Sequence, residues 1–417
     1  MVQPHVPSRG VSLMTEDIRH IVDALAAEVA RSIVVVTPDI RVITHSTHLG
    51  DEDTVRVRGI LQRQAEPAAI AHINAQRVSM WRESGFIPAN DDIDMKRRSC
   101  TAVRWRGQLL GYLMMIDEAH TLSTRDLERA EKAAASIAAI LSDIAQEQTR
   151  QQEAKENWLA DLLGPENETR QRAARTPPDG VQVAAGAPAH IVVVETVASH
   201  AMSAPEADAV MRTALTAVAA MTETASCAYL SRDGQGVMLL THAHPPTRVE
   251  LTTRRVLEAL TGHADIKRAA VGHSHAPDGL TEASAAYERA TTAARGALLL
   301  EGHGDIVDWA DLGIYSVLLD MNSRTLHRLV PTGLHALKAA DPSGVLLQTA
   351  EVYLDSAASP PTAATALHIH RTTLYYRLGR IHDLSGLDLA DGNDRLTFHL
   401  GLRALRVLDA STGRTAP

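Results

Sequence analysis

Residues 361–384 read PTAATALHIHRTTLYYRLGRIHDL, and this stretch decides the fold of the C-terminal part of the chain. The apolar residues of its first half share one side of a short helix: Ala363, Ala364 and Leu367. Those of its second half recur at helical spacing: Leu374, Leu378 and Ile381. Only three residues, His368-Ile369-His370, separate the two patterns, and helices joined by so short a turn cross steeply. The stretch therefore predicts a helix-turn-helix.

The side of the second helix opposite its apolar residues is predicted to contact DNA. The residues expected to make this contact are His370, Arg371, Thr372, Thr373, Tyr376, Arg377 and Arg380. Such side chains suit base edges and phosphates. His368–His382 holds three arginines and no acidic residue, whereas Val345–Asp409 holds six arginines against seven acidic residues. Positive charge is thus concentrated on one helix, as specific recognition requires. Periodicity alone leaves open a helical hairpin with a solvated arginine-rich face.

The composition of the whole chain limits the classes of protein it can be. A length of 417 residues suggests two or three domains. The net charge of −9 argues against non-specific attraction to nucleic acid over the whole surface. Two cysteines, Cys100 and Cys227, exclude a disulfide framework or a cysteine-rich zinc site and fit a reducing compartment. No apolar stretch has the length of a membrane span, and Met1–Gly10 lacks the pattern of a secretory signal. We therefore expect a cytoplasmic protein with no membrane partner, metal or cofactor.

Residues 1–122 predict a small α+β domain. A helix is followed by a hairpin over Ser32–His45, by two further helices, and by a second hairpin over Ser99–Ile116. In order of elements this region is similar to GAF and PAS sensor domains. Aromatic rings and cations that suit a flat or anionic metabolite occur within one stretch: Trp81, Arg82, Arg97, Arg98 and Trp105. We expect an effector to bind there. The alternative is that the arginines are solvated and Trp105 packs against its hairpin.

Residues 123–163 predict a long connecting helix, which Ser123 can cap with Asp126 as its capping-box partner. Its apolar residues form a heptad-like seam: Leu127, Ala130, Ala134, Ile137, Leu141 and Ile144. Two interpretations stay open, a helix packed on its own domain and a helix that joins two chains in a parallel dimer. Residues 164–189, with their prolines and glycines, predict a linker.

Residues 190–312 alternate strands and helices in the order β-α-β-β-α-β, which predicts a ferredoxin-like domain with an added helix. Residues 313–341 are expected to form a connector, and residues 342–417 an all-helical domain. The sequence as a whole therefore predicts a multidomain α+β protein.

The run His370-Arg371-Thr372-Thr373-Leu374-Tyr375-Tyr376-Arg377-Leu378 closely resembles the signature of PucR/CdaR-type bacterial transcription regulators. Leu387-Asp388-Leu389 and Asp394-Arg395-Leu396 fit the same C-terminal domain, which is similar to the Fis-type helix-turn-helix. Thr372 stands where the family usually carries asparagine, which puts an amide-to-adenine contact there in doubt.

The middle domain resembles the GGDEF-like domain of the same family at Gly279-Leu280, Ala286-Tyr287-Glu288-Arg289-Ala290 and Asp311-Leu312-Gly313. Diguanylate cyclases carry an acidic motif in the central hairpin turn, where two metal ions are held. The corresponding turn here, Arg232–Gly236, has one carboxylate, which cannot hold two metals. We therefore interpret this domain as catalytically inactive.

The resemblance implies a sequence-specific transcription regulator that is not an enzyme. Its partners would be a double-stranded DNA operator, a small-molecule effector bound by the N-terminal domain, and further copies of the same chain in a homodimer or higher oligomer. Two other classes stay open: a nucleotide cyclase-like enzyme with a DNA-binding tail, and a scaffold whose helices mediate protein contacts.

Overall fold

A computed structural model describes most of the chain: residues 9–47, 49–183, 186–222, 227–241, 246–300 and 302–412. The architecture is mixed α+β with two separate sheets, as predicted. The chain divides into two units, Met1–Glu153 and Ala154–Pro417. Among the described residues, no helix combines the length and the apolar character that crossing a membrane requires.

The first unit is built on a five-stranded antiparallel sheet. Its strands are β1 (Ile33–Val36), β2 (Val42–His45), β3 (Gly85–Ile87), β4 (Arg98–Trp105) and β5 (Gln108–Ile116). They lie in the order β2-β1-β5-β4-β3. Its first helices are α1 (Arg9–Val29), α2 (Thr54–Gln62) and α3 (Pro67–Ala75). Both predicted hairpins and the helices between them are confirmed.

This sheet buries a different apolar core on each face, because successive side chains of a strand point to opposite sides. Ile33 and Val35 pack with α1 on one face, and Val34 and Val36 pack towards α3 on the other. Cys100 lies in the second core, where burial raises the pKa of its thiol to about 12. It is a free, buried cysteine.

Helix α4 (Thr124–Leu163) is 40 residues long and follows the predicted bounds. Ser123 and Asp126 form the capping box, with the Asp126 amide 3.3 Å from the Ser123 hydroxyl oxygen. The residues of the predicted seam are buried or partly buried against the core of the first unit. The seam therefore packs on its own domain, in line with the first interpretation, and dimerisation through this helix stays a prediction.

The second unit contains the other five-stranded sheet. Its strands are β6 (Ala189–Ala198), β7 (Cys227–Arg232), β8 (Gln235–Thr241), β9 (Ile266–Ala276) and β10 (Ile306–Asp308). Their order is β10-β9-β6-β8-β7, and only the edge pair β10–β9 is parallel. The helices that cover this sheet are α6 (Ala204–Ala220), α7 (Pro246–Thr261) and α8 (Ala283–Leu299). Helices α6 and α7 cover one face, and α8 with the end of α4 covers the other.

Residues 164–189 differ from the predicted linker because they contain a helix, α5 (Asn167–Arg175). Ala173 and Val181 are buried in the same core as Trp158. The indole N–H of Trp158 donates a hydrogen bond of 2.8 Å to the Ala173 carbonyl. The prolines and glycines of this segment do not prevent it from packing on the second unit.

Residues 313–341 also differ from the predicted connector. They form three short helices, α9 (Tyr315–Leu318), α10 (Ser323–Leu329) and α11 (Thr332–Ala340). Four of their leucines are buried: Leu318, Leu326, Leu334 and Leu337. They share one core with the C-terminal helices α12 (Val345–Asp355), α13 (Pro360–Ala366), α14 (Arg371–Ser385) and α15 (Gly392–Ser411). The segment is therefore part of the helical domain.

Helix α11 approaches α14 very closely at one glycine. A Cβ atom placed on Gly333 would lie 1.8 Å from the carbonyl oxygen of Ser385, at the end of α14. Only glycine fits there without a shift of one helix, so this contact sets the position of the C-terminal end of α14.

Candidate nucleic-acid interface

Helices α13 and α14 meet through a tight turn that the sequence specifies residue by residue. Leu367 ends α13, and His368 adopts a left-handed conformation with φ of 55°. The backbone amide of Ile369 donates back to the carbonyl of Ala364 at 3.0 Å. His370 then caps α14, because its Nδ1 accepts from the amide of Thr372 at 3.4 Å. The turn therefore fixes the direction in which α14 leaves α13.

The inner side of this pair is apolar and closely packed. Ala363, Leu374 and Ile381 are fully buried, and Leu367 and Leu378 are partly buried against the same core. The small side chain of Ala363 lets the two helices approach, and the leucine and isoleucine fill the space beneath them. The predicted helix-turn-helix and its buried face are confirmed.

The outer side of α14 exposes most of the predicted contact residues. The exposed ones are His370, Arg371, Thr372, Thr373, Tyr376 and Arg380. Tyr376 is 69% exposed, which is unusual for so large a ring. Arg380 also faces Asp383, with 3.6 Å between Nη1 and Oδ2. These side chains form one continuous polar and basic surface, beginning at the first turn of α14.

Arg377 differs from the other predicted residues because it is half-buried. Its Nη1 donates a hydrogen bond of 3.1 Å to the hydroxyl of Thr349, a fully buried residue of α12. The side chain therefore ties α14 to α12. Its predicted contact with a phosphate stays a prediction, because the guanidinium group keeps further donors.

Tyr375 belongs to the same surface, although the sequence did not single it out. Its ring is 52% exposed, and the guanidinium carbon of Arg371 lies 5.9 Å from the ring centroid. The Arg371 Nη2 also lies 3.4 Å from the Tyr375 hydroxyl. The spacing of four residues between an arginine and an aromatic residue on a helix is the signal that could have identified it.

The acidic residues of α12 are paired away from the exposed surface of α14. Glu351 and Asp355 both bind Arg403 of α15, with 3.0 Å between Arg403 Nη1 and Glu351 Oε1. Arg406 binds the second oxygen of Glu351 at 2.5 Å. These pairs join α12 to α15 and engage the Glu351 and Asp355 carboxylates within the helical domain.

The five residues predicted to bind an effector do not form one site in the first unit. Trp81 packs in the core that contains Cys100, whereas Trp105 packs in the core on the other face of the sheet. Arg82 is exposed. Arg97 pairs with Asp117, and its guanidinium group lies 3.7 Å from the Phe86 ring centroid.

Arg98 is buried and forms an ion pair with Asp53, whose side chain has no exposed surface. Burial lowers the pKa of the Arg98 guanidinium, and the negative charge of Asp53 opposes this effect. The charges of Arg98 and Asp53 thus pair with each other inside the domain. The prediction that Arg98 contacts a ligand is not supported by this geometry.

The fold of the C-terminal helices and their exposed basic surface define a helix-turn-helix DNA-binding domain. Residues 346–404, which run from the first turn of α12 into α15, match the family described as the PucR C-terminal helix-turn-helix domain. The resemblance to PucR/CdaR-type regulators is therefore confirmed, and the recognised region is this domain.

Two relatives of known identity are similar to parts of the chain. It is 42% identical over 67 residues to the carbohydrate diacid regulator of Escherichia coli (strain K12), which is 16% of this chain and 17% of that protein. It is 33% identical over 102 residues to the proline-responsive transcriptional activator PutR of Bacillus subtilis (strain 168), 24% of this chain and 25% of that protein. The matches thus span a quarter or less of the length of these relatives.

Among solved structures, the chain is similar to the regulator of polyketide synthase expression from Bifidobacterium adolescentis. The identity is 17%, and the match covers 63% of this chain and 94% of that chain with a TM-score of 0.28.

Proposed function

We propose that this chain is a sequence-specific DNA-binding transcription regulator of the PucR type. The observation that carries the proposal is the exposed surface of α14 within a domain that matches the PucR helix-turn-helix family. In a helix-turn-helix, the second helix lies in the major groove and its first residues reach the base edges. In this proposal the exposed Arg371, Thr372 and Tyr376 would make such contacts, and His370 and Arg380 would reach the DNA backbone.

Replacing Arg371 with alanine is expected to weaken specific binding by about 1–3 kcal/mol, because an arginine that reads a base makes two directed hydrogen bonds. The operator is first enriched from genomic DNA of the source organism with the full chain, and binding is then measured by fluorescence anisotropy. Arg395→Ala, an exposed arginine of α15 outside this surface, is the matched control. Wild-type affinity of a folded Arg371→Ala variant would remove this residue from the interface.

Tyr375 is expected to act through Arg371, because it holds the guanidinium group over its ring. Tyr375→Ala should weaken operator binding by about 0.5–1 kcal/mol, the usual strength of an exposed cation–π contact. In a double-mutant cycle the Arg371→Ala and Tyr375→Ala effects should not add, since the second change removes a contact that the first has already removed. Additive effects would show that Tyr375 contacts DNA independently.

The first unit is proposed to be a GAF/PAS-like sensor that binds the small-molecule effector. Its five-stranded antiparallel sheet, with α2 and α3 between its hairpins, supports this proposal. The ligands named by the relatives, carbohydrate diacids and proline, are the first compounds to screen. At about 100 times its dissociation constant, an effector should stabilise the folded state by about 2.7 kcal/mol. Such a regulator would work in the cytoplasm, where bacterial DNA lies.

The middle domain is proposed to be a ferredoxin-like, GGDEF-related module without catalytic activity. The order β9-β6-β8-β7 with antiparallel neighbours supports the fold. In the hairpin turn, Asp208 of α6 accepts hydrogen bonds from the amide of Gly234 and the hydroxyl of Ser231, at 2.8 and 2.9 Å. This carboxylate therefore holds the turn in place. Incubation with GTP or ATP and Mg²⁺ tests the proposal, because product formation would favour a cyclase.

The regulator is proposed to act as a homodimer or higher oligomer, since two recognition helices spaced by about 34 Å fit two half-sites of an operator. Effector binding would change this spacing and so change the affinity for DNA. Sedimentation of the chain with and without its operator tests this part. A monomer bound to a single half-site would contradict it.

A further inference from the structure

A cavity of about 660 Å³ lies in the second unit, between the hairpin end of the sheet and the last turn of α4. Its apolar walls are Leu163 at the end of α4, Leu230 on β7 and Val237 on β8. This volume falls within the range of sites that hold small organic molecules. The walls of such sites are mostly apolar and carry a few directed polar groups. Its lining includes no residue of the surface of α14 and none of the residues predicted to bind an effector.

Three polar side chains in the cavity form a connected chain of hydrogen bonds. The Tyr287 hydroxyl donates to the Gln235 side-chain oxygen at 2.6 Å. The Gln235 amide nitrogen donates to Oε1 of Glu195 at 3.2 Å. Within the part of the chain that the structure describes, no other hydrogen bond reaches the Glu195 carboxylate. Its second oxygen is therefore available to a donor in the cavity.

Glu195 sits at the polar end of this chain and is half-buried on β6. Burial raises the pKa of its carboxyl group, although Gln235 and the nearby Arg295 favour the ionised form. Among the described residues, Arg295 forms no ion pair with this carboxylate, and its Nη1 donates to the carbonyl of Leu319 at 3.1 Å. Desolvation of a carboxylate without a direct cationic partner raises the free energy of its ionised form, so a bound cation would stabilise that form.

Hydrogen bonds hold the hairpin turn in the wall that carries Gln235. Asp208 holds the hairpin turn through two hydrogen bonds, and the exposed pair Arg232–Asp233 stands at the rim with 3.6 Å between Nε and Oδ2. The rim pair has no net charge. Arg232 and Asp233 also line the cavity, but their side chains are largely exposed, so Glu195 is the half-buried charged group of its lining. A ligand need not order the hairpin turn when it binds.

We propose that this cavity binds a small organic cation, a primary amine with an apolar body. The ammonium group would donate to the free oxygen of Glu195, and the apolar body would contact Leu163, Leu230 and Val237. A phosphate or carboxylate ligand would instead meet the Glu195 carboxylate, and like charges repel at this distance. Because Leu163 belongs to the last turn of α4, the ligand would contact that helix directly.

The test uses three compounds of matched shape and different charge: phenethylammonium, 2-phenylethanol and phenylacetate. Calorimetric titration of the full chain without DNA is expected to rank them in that order. Glu195→Gln should lower the affinity for phenethylammonium by about 10- to 100-fold, because a hydrogen bond between charged groups is lost. The same variant should bind 2-phenylethanol as before.

Glu258→Gln, an exposed carboxylate on α7 outside the cavity, is the matched control and should leave all three affinities unchanged. Leu230→Trp should block the cavity and weaken both the amine and the alcohol, with folding of each variant checked by circular dichroism. Failure of phenethylammonium to bind at millimolar concentration, or tighter binding of phenylacetate or GTP, would overturn the proposal. The titration contains no DNA, so its failure would leave the proposed regulator function untouched.

Discussion

Replacing Gly333 with alanine is expected to destabilise the second unit by about 3 kcal/mol or more. The added methyl group would lie 1.8 Å from the carbonyl oxygen of Ser385, and neither of these backbones can move without breaking the core between α11 and α14. Overpacking of a well-packed core usually costs about 1–3 kcal/mol, and a clash with backbone is a severe case. A shift of α14 that relieves this clash would also displace the residues predicted to contact DNA. Operator affinity should therefore fall together with stability.

Gly379 supplies a matched control, because it is a glycine in α14 whose Cβ would meet nothing within 4 Å. Gly379→Ala is expected to stabilise the domain by about 0.5–1 kcal/mol, since alanine loses less conformational entropy in a helix. Urea unfolding followed by hydrogen exchange of peptides from α11 and α14 measures both variants. Equal stability of Gly333→Ala and the wild type would show that the two helices are not in close contact.

Asp53→Asn is expected to destabilise the first unit by about 3–5 kcal/mol, because it leaves the buried guanidinium group of Arg98 without its counter-charge. Asp53 also accepts hydrogen bonds of 2.8 Å from the amides of Arg56 and Lys96, so an amide nitrogen in place of one oxygen would face a donor. Arg56 is close by as well, and burial lowers its pKa to about 10. Loss of one negative charge thus affects two buried cations.

Glu66→Gln is the comparison for this change, since it removes the charge from an exposed pair with Arg58 at 3.0 Å. Exposed ion pairs contribute about 0–1 kcal/mol to the stability of the fold, so Glu66→Gln should change the free energy of unfolding only slightly. Hydrogen exchange of peptides from β4 and β5 reports on the first unit in the full chain. If both variants unfold alike, the pair between Asp53 and Arg98 has no special role in stability.

The elements of this protein could be predicted where local spacing alone determines them. Leu374 and Ile381 lie within two helical turns of each other, and the buried face of α14 follows from that spacing. The hairpins of the first unit and the succession of strands and helices along the middle domain are local in the same sense. The family resemblance of residues 370–378 depends on a short run as well, and it identified the DNA-binding domain.

The partners of charged side chains could not be predicted, because they lie far away in sequence. Arg377 binds Thr349, 28 residues earlier, and Arg98 binds Asp53, 45 residues earlier. Read locally, each arginine is an exposed cation available to DNA or to a ligand. The cavity of the second unit was missed for the same reason, since Glu195, Gln235 and Tyr287 come from β6, β8 and α8.

The core shared by the middle domain and the C-terminal helices has a consequence for how such regulators can change specificity. Ala293 and Ala297 of α8 are buried together with Leu318, Leu334 and the helix-turn-helix core. A chimera joined at residue 342 would separate these groups and leave apolar surface open on both pieces. Transplanting the C-terminal helices alone would therefore give poorly folded hybrids. A new operator preference is better obtained by exchanging the exposed residues of α14, which no buried contact constrains.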